Sequence, residues 1–214
     1  MISVVVCSRL YIQDDIHMRN VAKTIGVPFE YIRIDNRENR YNLCSAYNEG
    51  VKRAAGSIIV FVHEDVFFIE SGWGQTLEDK FTDQSIGLVG VAGTQYLFND
   101  KPGWVAPGRP YIKGQVIHET DNGNVYNLTV FSWDNSDSDV VAVDGLFFSI
   151  RKSLFDRISF DSNIFDGFHL YDLDICMQIR KTHRLIVTKD ILVKHQSGGN
   201  FDSKWQLYAS RFLE

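Results

Sequence analysis

Residues 58–68 read IIVFVHEDVFF. Five consecutive apolar residues lead into His63-Glu64-Asp65, and the chain then turns apolar again. A short apolar run without polar alternation is the pattern of a strand buried on both faces, as in a parallel sheet covered by helices. Three ionisable groups at the end of such a strand are costly to bury without partners. Their position is the first pointer to a site.

The same pattern repeats on either side of this stretch. Residues 2–7 (ISVVVC) and 29–34 (FEYIRI) read as two further strands, the second ending at Asp35-Asn36. Residues 11–25 form a helix candidate whose inner face is Ile16, Val21 and Ile25. In YNLCSAYNEGVKRAAG (41–56), Leu43, Ala46, Tyr47, Gly50, Val51 and Ala54 recur at the spacing of one helix face, with Gly56 as the stop. Trp73, Leu77 and Phe81 predict a short helix with Trp73 in the core, and IGLVGVAG (86–93) a further strand. Alternation of strand and helix through 93 residues predicts an open α/β sheet with right-handed crossovers.

Beyond residue 96 the composition changes. Residues 97–138 are rich in Gly, Asn, Asp and aromatics and read as an excursion with a hairpin turn at 121–124. Then come a strand-like run at 140–150 (VVAVDGLFFSI), a short helix at 151–158, and a firm helix in YDLDICMQIRKT (171–182). A final strand or strand pair follows at 184–195, and a helix-like tail closes the chain. Without repeat, low-complexity tract or linker, residues 1–214 read as a single domain, divided into halves at 93/94.

Composition narrows the function. With 44% hydrophobic and 23% charged residues the chain is ordinary globular material, and a net charge of -5 offers no field for nucleic acid. Cys7, Cys44 and Cys176 are sparse and far apart, which predicts free thiols in a reducing cytoplasm. The opening residues do not read as a signal peptide, and no apolar run reaches the roughly 20 residues of a membrane span.

In open α/β sheets, ligands bind beyond the carboxyl ends of the strands. Those ends carry Ser8-Arg9, Asp35-Asn36, His63-Glu64-Asp65 and, at the last strand, His195. Residues 63 and 65 share one side of an extended chain. A carboxylate there could hold a hard divalent cation that bridges to phosphate oxygens. A plain capped strand end is the bland alternative.

Three segments taken together resemble a known family. Asp35-Asn36, Ala46-Tyr47-Asn48-Glu49-Gly50 and Ala54-Ala55-Gly56, leading into IIVFVHED, are similar to the nucleotide-binding half of the family 2 glycosyltransferases. That family has an acidic pair after its second strand, an A-x-N-x-G-x-x-x-A-x-G helix and a strand ending in D-x-D. The His63-Glu64-Asp65 version looks most like the bacterial branch named for streptomycin biosynthesis proteins, with His63 in place of the first aspartate. The resemblance covers roughly the first 93 residues. A weaker likeness lies in Gly167-Phe168-His169-Leu170-Tyr171-Asp172-Leu173-Asp174, which is similar to the family's G-x-x-x-E-D-x-D segment with Tyr171 in place of glutamate.

The resemblance implies a GT-A-like (Rossmann-like) α/β fold, a mostly parallel sheet flanked by helices with a small β excursion. It implies an inverting glycosyltransferase that moves a sugar from a nucleotide-diphosphate sugar to a carbohydrate or small-molecule acceptor. Asp172 falls on the position of the catalytic base, at the start of a helix whose dipole keeps a carboxylate ionised. Asp65 and His195 would hold Mn2+ or Mg2+. Ser8, Arg9, Asp35, Asn48, His63 and Glu64 would bind the nucleotide, and Asp144, Trp104 and His169 would face the acceptor. Gln196-Ser197-Gly198-Gly199 would close over the bound nucleotide. Two alternatives stay open. One is a non-catalytic nucleotide-sugar or carbohydrate-binding protein, favoured by the changes at His63 and Tyr171. The other is a sugar nucleotidyltransferase, which would need the Gly-rich basic loop that VVVCSRL does not offer.

Overall fold

The fold was analysed in a computed structural model that describes residues 1–10, 15–119, 125–196 and 203–213. β1 (Ile2–Ser8), α1 (Ile16–Thr24), β2 (Phe29–Asp35), α2 (Leu43–Arg53) and β3 (Ile58–Val62) form the opening β-α-β-α-β unit. β1 lies between its two neighbours and is parallel to both, with Ser8 opposite Asp35 and Val5 opposite Phe61. Successive residues point to opposite faces, so Val5 and Phe61 join the core under α2 while Val4, Val60 and Val62 join the core under α1. Both faces are covered, and the run 58–62 is therefore apolar at every position.

The helices carry local corrections. α1 starts at Ile16, capped by the Asp15 side chain on the Met18 N–H, and Ile16 itself is 48% exposed. His17 takes the inner place, because 17, 21 and 25 are spaced by four residues on one face and 16 is not. α2 stops at Arg53, before the predicted Gly56, where Ala54 turns extended. Gly50 allows α2 to lie on β1: a Cβ there would meet Val5 Cγ1 at 2.3 Å. Gly50→Ala is expected to cost about 1–3 kcal/mol of stability by overpacking, read from urea denaturation.

After β3 come β4 (Val66–Phe68), α3 (Trp73–Lys80), β5 (Ile86–Gly90) and β6 (Ala92–Thr94). Then follow β7 (Ile112–Glu119), β8 (Tyr126–Val130), β9 (Ser138–Val140), β10 (Ala142–Val143), β11 (Phe147–Arg151) and a 3-10 turn at Lys152–Asp156. The chain finishes with α4 (Tyr171–Ile179), β12 (Arg184–Val187), β13 (Val193–His195) and α5 (Ser203–Leu213). Trp73, Leu77 and Phe81 are buried as expected.

Two sheets form. The first has the order β2-β1-β3-β11-β5-β12-β9, and the second β10-β6-β7-β13-β4 with β8 added on β7. The first sheet is mixed: β11 runs antiparallel to β3 and β5, and β9 antiparallel to β12. The β excursion is accordingly larger than read. The predicted strand 86–93 divides at Val91, β5 staying in the first sheet while β6 enters the second. The run 140–150 divides likewise, and 184–195 becomes one strand in each sheet. A strand buried on both faces has the same composition in either sheet, so local pattern does not show where the chain changes sheets. β7 and β8 pair from Gln115↔Val130 to Glu119↔Tyr126, the arms of the expected hairpin; its turn at 121–124 lies outside the described residues.

Candidate active site

The end of β3 is a tight turn. The His63 N–H donates to the Leu146 carbonyl, and the Val66 N–H to the carbonyl of His63. β4 returns antiparallel to β13, pairing Val66 with His195, and the Gln196 N–H donates to the Asp65 carbonyl. This register carries His195 to the strand end from 130 positions further along the chain, its Nε2 3.5 Å from Asp65 Oδ1. His63, Asp65 and His195 each offer a ligand atom, all within 4.8 Å of one another. Burial, and then the neighbouring His195, lower the His63 pKa to about 4, so its ring is neutral near pH 7.

Glu64, in the same turn, reaches toward the end of β1. Ser8 Oγ donates to Glu64 Oε2 at 2.5 Å, and the Arg9 N–H donates to the same oxygen at 3.1 Å. Glu64 thus ties the end of β3 to the end of β1.

α4 supplies the facing wall. Leu170, before its first residue, sits at φ 61°, ψ 6°, a left-handed conformation that costs a non-glycine residue roughly 1–2 kcal/mol. That bend sets Tyr171 and Asp172 at the cleft. Asp172 Oδ2 accepts the Gly145 N–H at 2.9 Å and Oδ1 the Leu173 N–H at 3.0 Å. Desolvation, with Asp144 adding like-charge repulsion, raises the Asp172 pKa to about 7. Burial and Asp144 therefore act against the helix dipole expected to favour the ionised carboxylate. Asp144 is raised too, chiefly by desolvation, and accepts the Leu146 N–H at 3.1 Å.

These groups share one cleft of about 690 Å3. His63, His195, Asp144, Asp172, His169 and Trp104 all line it. Trp104 is half-buried, its ring edge-on to Phe131 at 5.1 Å. The other expected residues stand off the cleft walls. Ser8 is engaged by Glu64, Arg9 lies over the Phe168 ring at 4.7 Å, and Asp35 is exposed, its pKa lowered to about 2 by hydrogen bonds from Arg37. Asn48 gives its amide to the backbone of Phe160, donating at 2.8 Å and accepting at 3.1 Å. Gln196 is held by Asp65, while residues 197–200 lie outside the described residues.

His118, Tyr171 and Phe168 are among the cleft residues to which the sequence reading assigned no role. His118 pairs with His195 in parallel register, their rings 6.1 Å apart. A signal existed, since Ile112, Gly114 and Val116 are the buried residues of β7 and His118 continues their phase. Reading the segment as an irregular excursion concealed that period.

A family model described as "Glycosyltransferase like family" matches residues 1–214. The product of ATP synthase subunits region ORF 6 of Fuscovulum blasticum is 28% identical over 163 residues, covering 70% of this chain. The match spans 55% of that relative, so this chain answers to about half its length. Among solved structures, GalNAc-T7 with UDP, GalNAc and Mn2+ superposes over 92% of this chain and 44% of its own, with a TM-score of 0.61 at 11% identity. Staphylococcal (S. aureus) TarS 1-349 in complex with UDP-GlcNAc covers 99% of this chain and 66% of its own, with a TM-score of 0.56 at 13% identity. At these identities the likeness speaks for the fold, which is that of GT-A glycosyltransferases.

Proposed function

The chain belongs to the glycosyltransferase-like family, and from that premise we propose that it transfers a sugar from a metal-bound nucleotide-diphosphate sugar to an acceptor hydroxyl with inversion. One observation carries the reading: Asp172, a carboxylate with its pKa raised to about 7, lines the same cleft as His63 and His195, two of the three clustered ligand residues. A general base works best with a pKa near the operating pH.

Asp172 takes the proton of the acceptor hydroxyl, its own position set by the Gly145 and Leu173 N–H groups. Asp144, Trp104 and His169 form the acceptor side of the cleft. Asp65, His195 and His63 would hold the divalent ion, Mn2+ or Mg2+. When bound, that ion neutralises charge on the leaving diphosphate as a Lewis acid. The nucleotide lies toward the ends of β1 and β2, by Ser8, Arg9, Asp35 and Glu64, with Asn48 acting through the backbone it ties. Among the described residues no helix is long and apolar enough to cross a membrane, and the three free thiols suit a reducing cytoplasm.

A thermal-shift series of nucleoside diphosphates with and without Mn2+, followed by donor hydrolysis, tests this. UDP with Mn2+ at 100 times its Kd is expected to stabilise the fold by about 2.7 kcal/mol, because ligand binds the folded state alone. Binding without any donor turnover would leave a nucleotide-sugar binding protein. No shift with any nucleotide would remove the reading.

A further inference from the structure

The two departures from the family pattern touch each other. His63 Nε2 and Tyr171 Oη are 2.8 Å apart, and Tyr171 Oη lies 3.0 Å from the carbonyl oxygen of Gly145. A phenol has one proton to give, and a carbonyl oxygen can only accept. The Tyr171 proton goes to Gly145, and Oη is left to accept from the histidine. That bond closes only when His63 carries its proton on Nε2. The lone pair is then on Nδ1, which is the ring nitrogen left to join Asp65 and His195.

The surroundings are shaped for this contact. A Cβ on Gly145 would lie 2.2 Å from Tyr171 Oη and 2.7 Å from Cζ, so only glycine admits the phenol. Tyr171 is 3% exposed, with the rings of Tyr47 and Phe148 packed around it at 5.7 and 6.4 Å. The left-handed Leu170 sets the residue at the head of α4. A buried hydroxyl in such a place keeps its hydrogen-bond partners.

We propose that Tyr171 is a positioning residue: it holds His63 as the Nε2–H tautomer and so makes Nδ1 a ligand atom beside Asp65 and His195. This rests on the metal reading given above. It also supplies one reason for both departures, since a histidine ligand at 63 is served by the acceptor that Tyr171 places behind it. Outer partners that orient a ligating histidine typically change metal affinity by about 10–100-fold.

A long-range proton–nitrogen correlation spectrum of the metal-free wild-type protein reads the tautomer directly and requires no variant. The Nε2–H pattern for His63 is expected, and the Nδ1–H pattern would overturn the proposal. Calorimetry with Mn2+ on wild type, Tyr171→Phe, His63→Ala and the double variant supplies the second arm. Tyr171→Phe is expected to weaken Mn2+ about 10–100-fold and to cost nothing further once His63 is gone, since the two act as one unit. Wild-type affinity in a folded Tyr171→Phe protein would overturn the proposal while sparing the metal reading. A wild-type protein with the Nε2–H tautomer that takes up no Mn2+ would overturn the metal reading, and the ligand role of Nδ1 with it.

Discussion

Asp172→Asn is expected to retain nucleotide-sugar binding and to lower turnover by about 10²–10⁴-fold, the usual contribution of a general base. The amide keeps the size of the carboxylate but cannot take up a proton. The wild-type rate should carry the signature of this group: with a pKa of about 7, turnover falls tenfold for each pH unit below it, and the residual rate of the variant does not follow. Stability gives an independent check. The folded-state pKa lies above the ordinary value of 3.8, so the folded protein binds more protons between about pH 4 and 7. Its stability therefore declines as pH rises through that window. Asp172→Asn removes the ionising group, so the variant should not show that decline with pH, although its amide can accept only one of the two backbone N–H groups. A helix cap predicts instead a loss of roughly 1 kcal/mol with turnover per folded molecule intact. Melting temperature, donor affinity and rate on one preparation separate the two. A destabilised variant with normal turnover would return Asp172 to the role of a cap.

Asp65→Ala is expected to abolish metal-dependent nucleotide binding. Asp65 contributes the one carboxylate of the clustered ligand set, and the residues that remain, His63 and His195, are imidazoles. A hard divalent ion that must also meet phosphate oxygens depends on that anionic ligand. The turn itself should survive, because it is held by backbone bonds: Val66 to His63 and Gln196 to Asp65 through its carbonyl. Calorimetry of UDP with and without Mn2+ is the measurement. An unchanged metal-dependent affinity in the variant would dismiss Asp65 as a ligand.

Much of this protein is determined by short-range pattern. The β1-α1-β2-α2-β3 unit follows from apolar runs and helix-face spacing, because β1 and β3 are buried on both sides while the edge strand β2 buries only Ile32 and Ile34, and each helix is buried on one face. The polar strand ends follow as well: Ser8 opposite Asp35, with His63 and Asp65 to one side and Glu64 to the other. These groups stand where each apolar run stops, and that stop is written locally.

The tertiary structure decided which distant groups meet. The division of 86–93 and 140–150 between two sheets depends on which partner each strand finds, and a doubly buried strand looks the same with any partner. His118 reaches the cleft only because β7 pairs with β13 in a register that sets it beside His195. Tyr171 looks in sequence like the loss of a carboxylate. Folding brings it to His63, 108 positions away, over a glycine carbonyl that no larger residue would leave accessible. The pKa of Asp172 likewise follows from burial and from Asp144, not from its place on a helix. Residue type and period are properties of a segment, whereas desolvation and long-range hydrogen bonds arise only once segments are packed together.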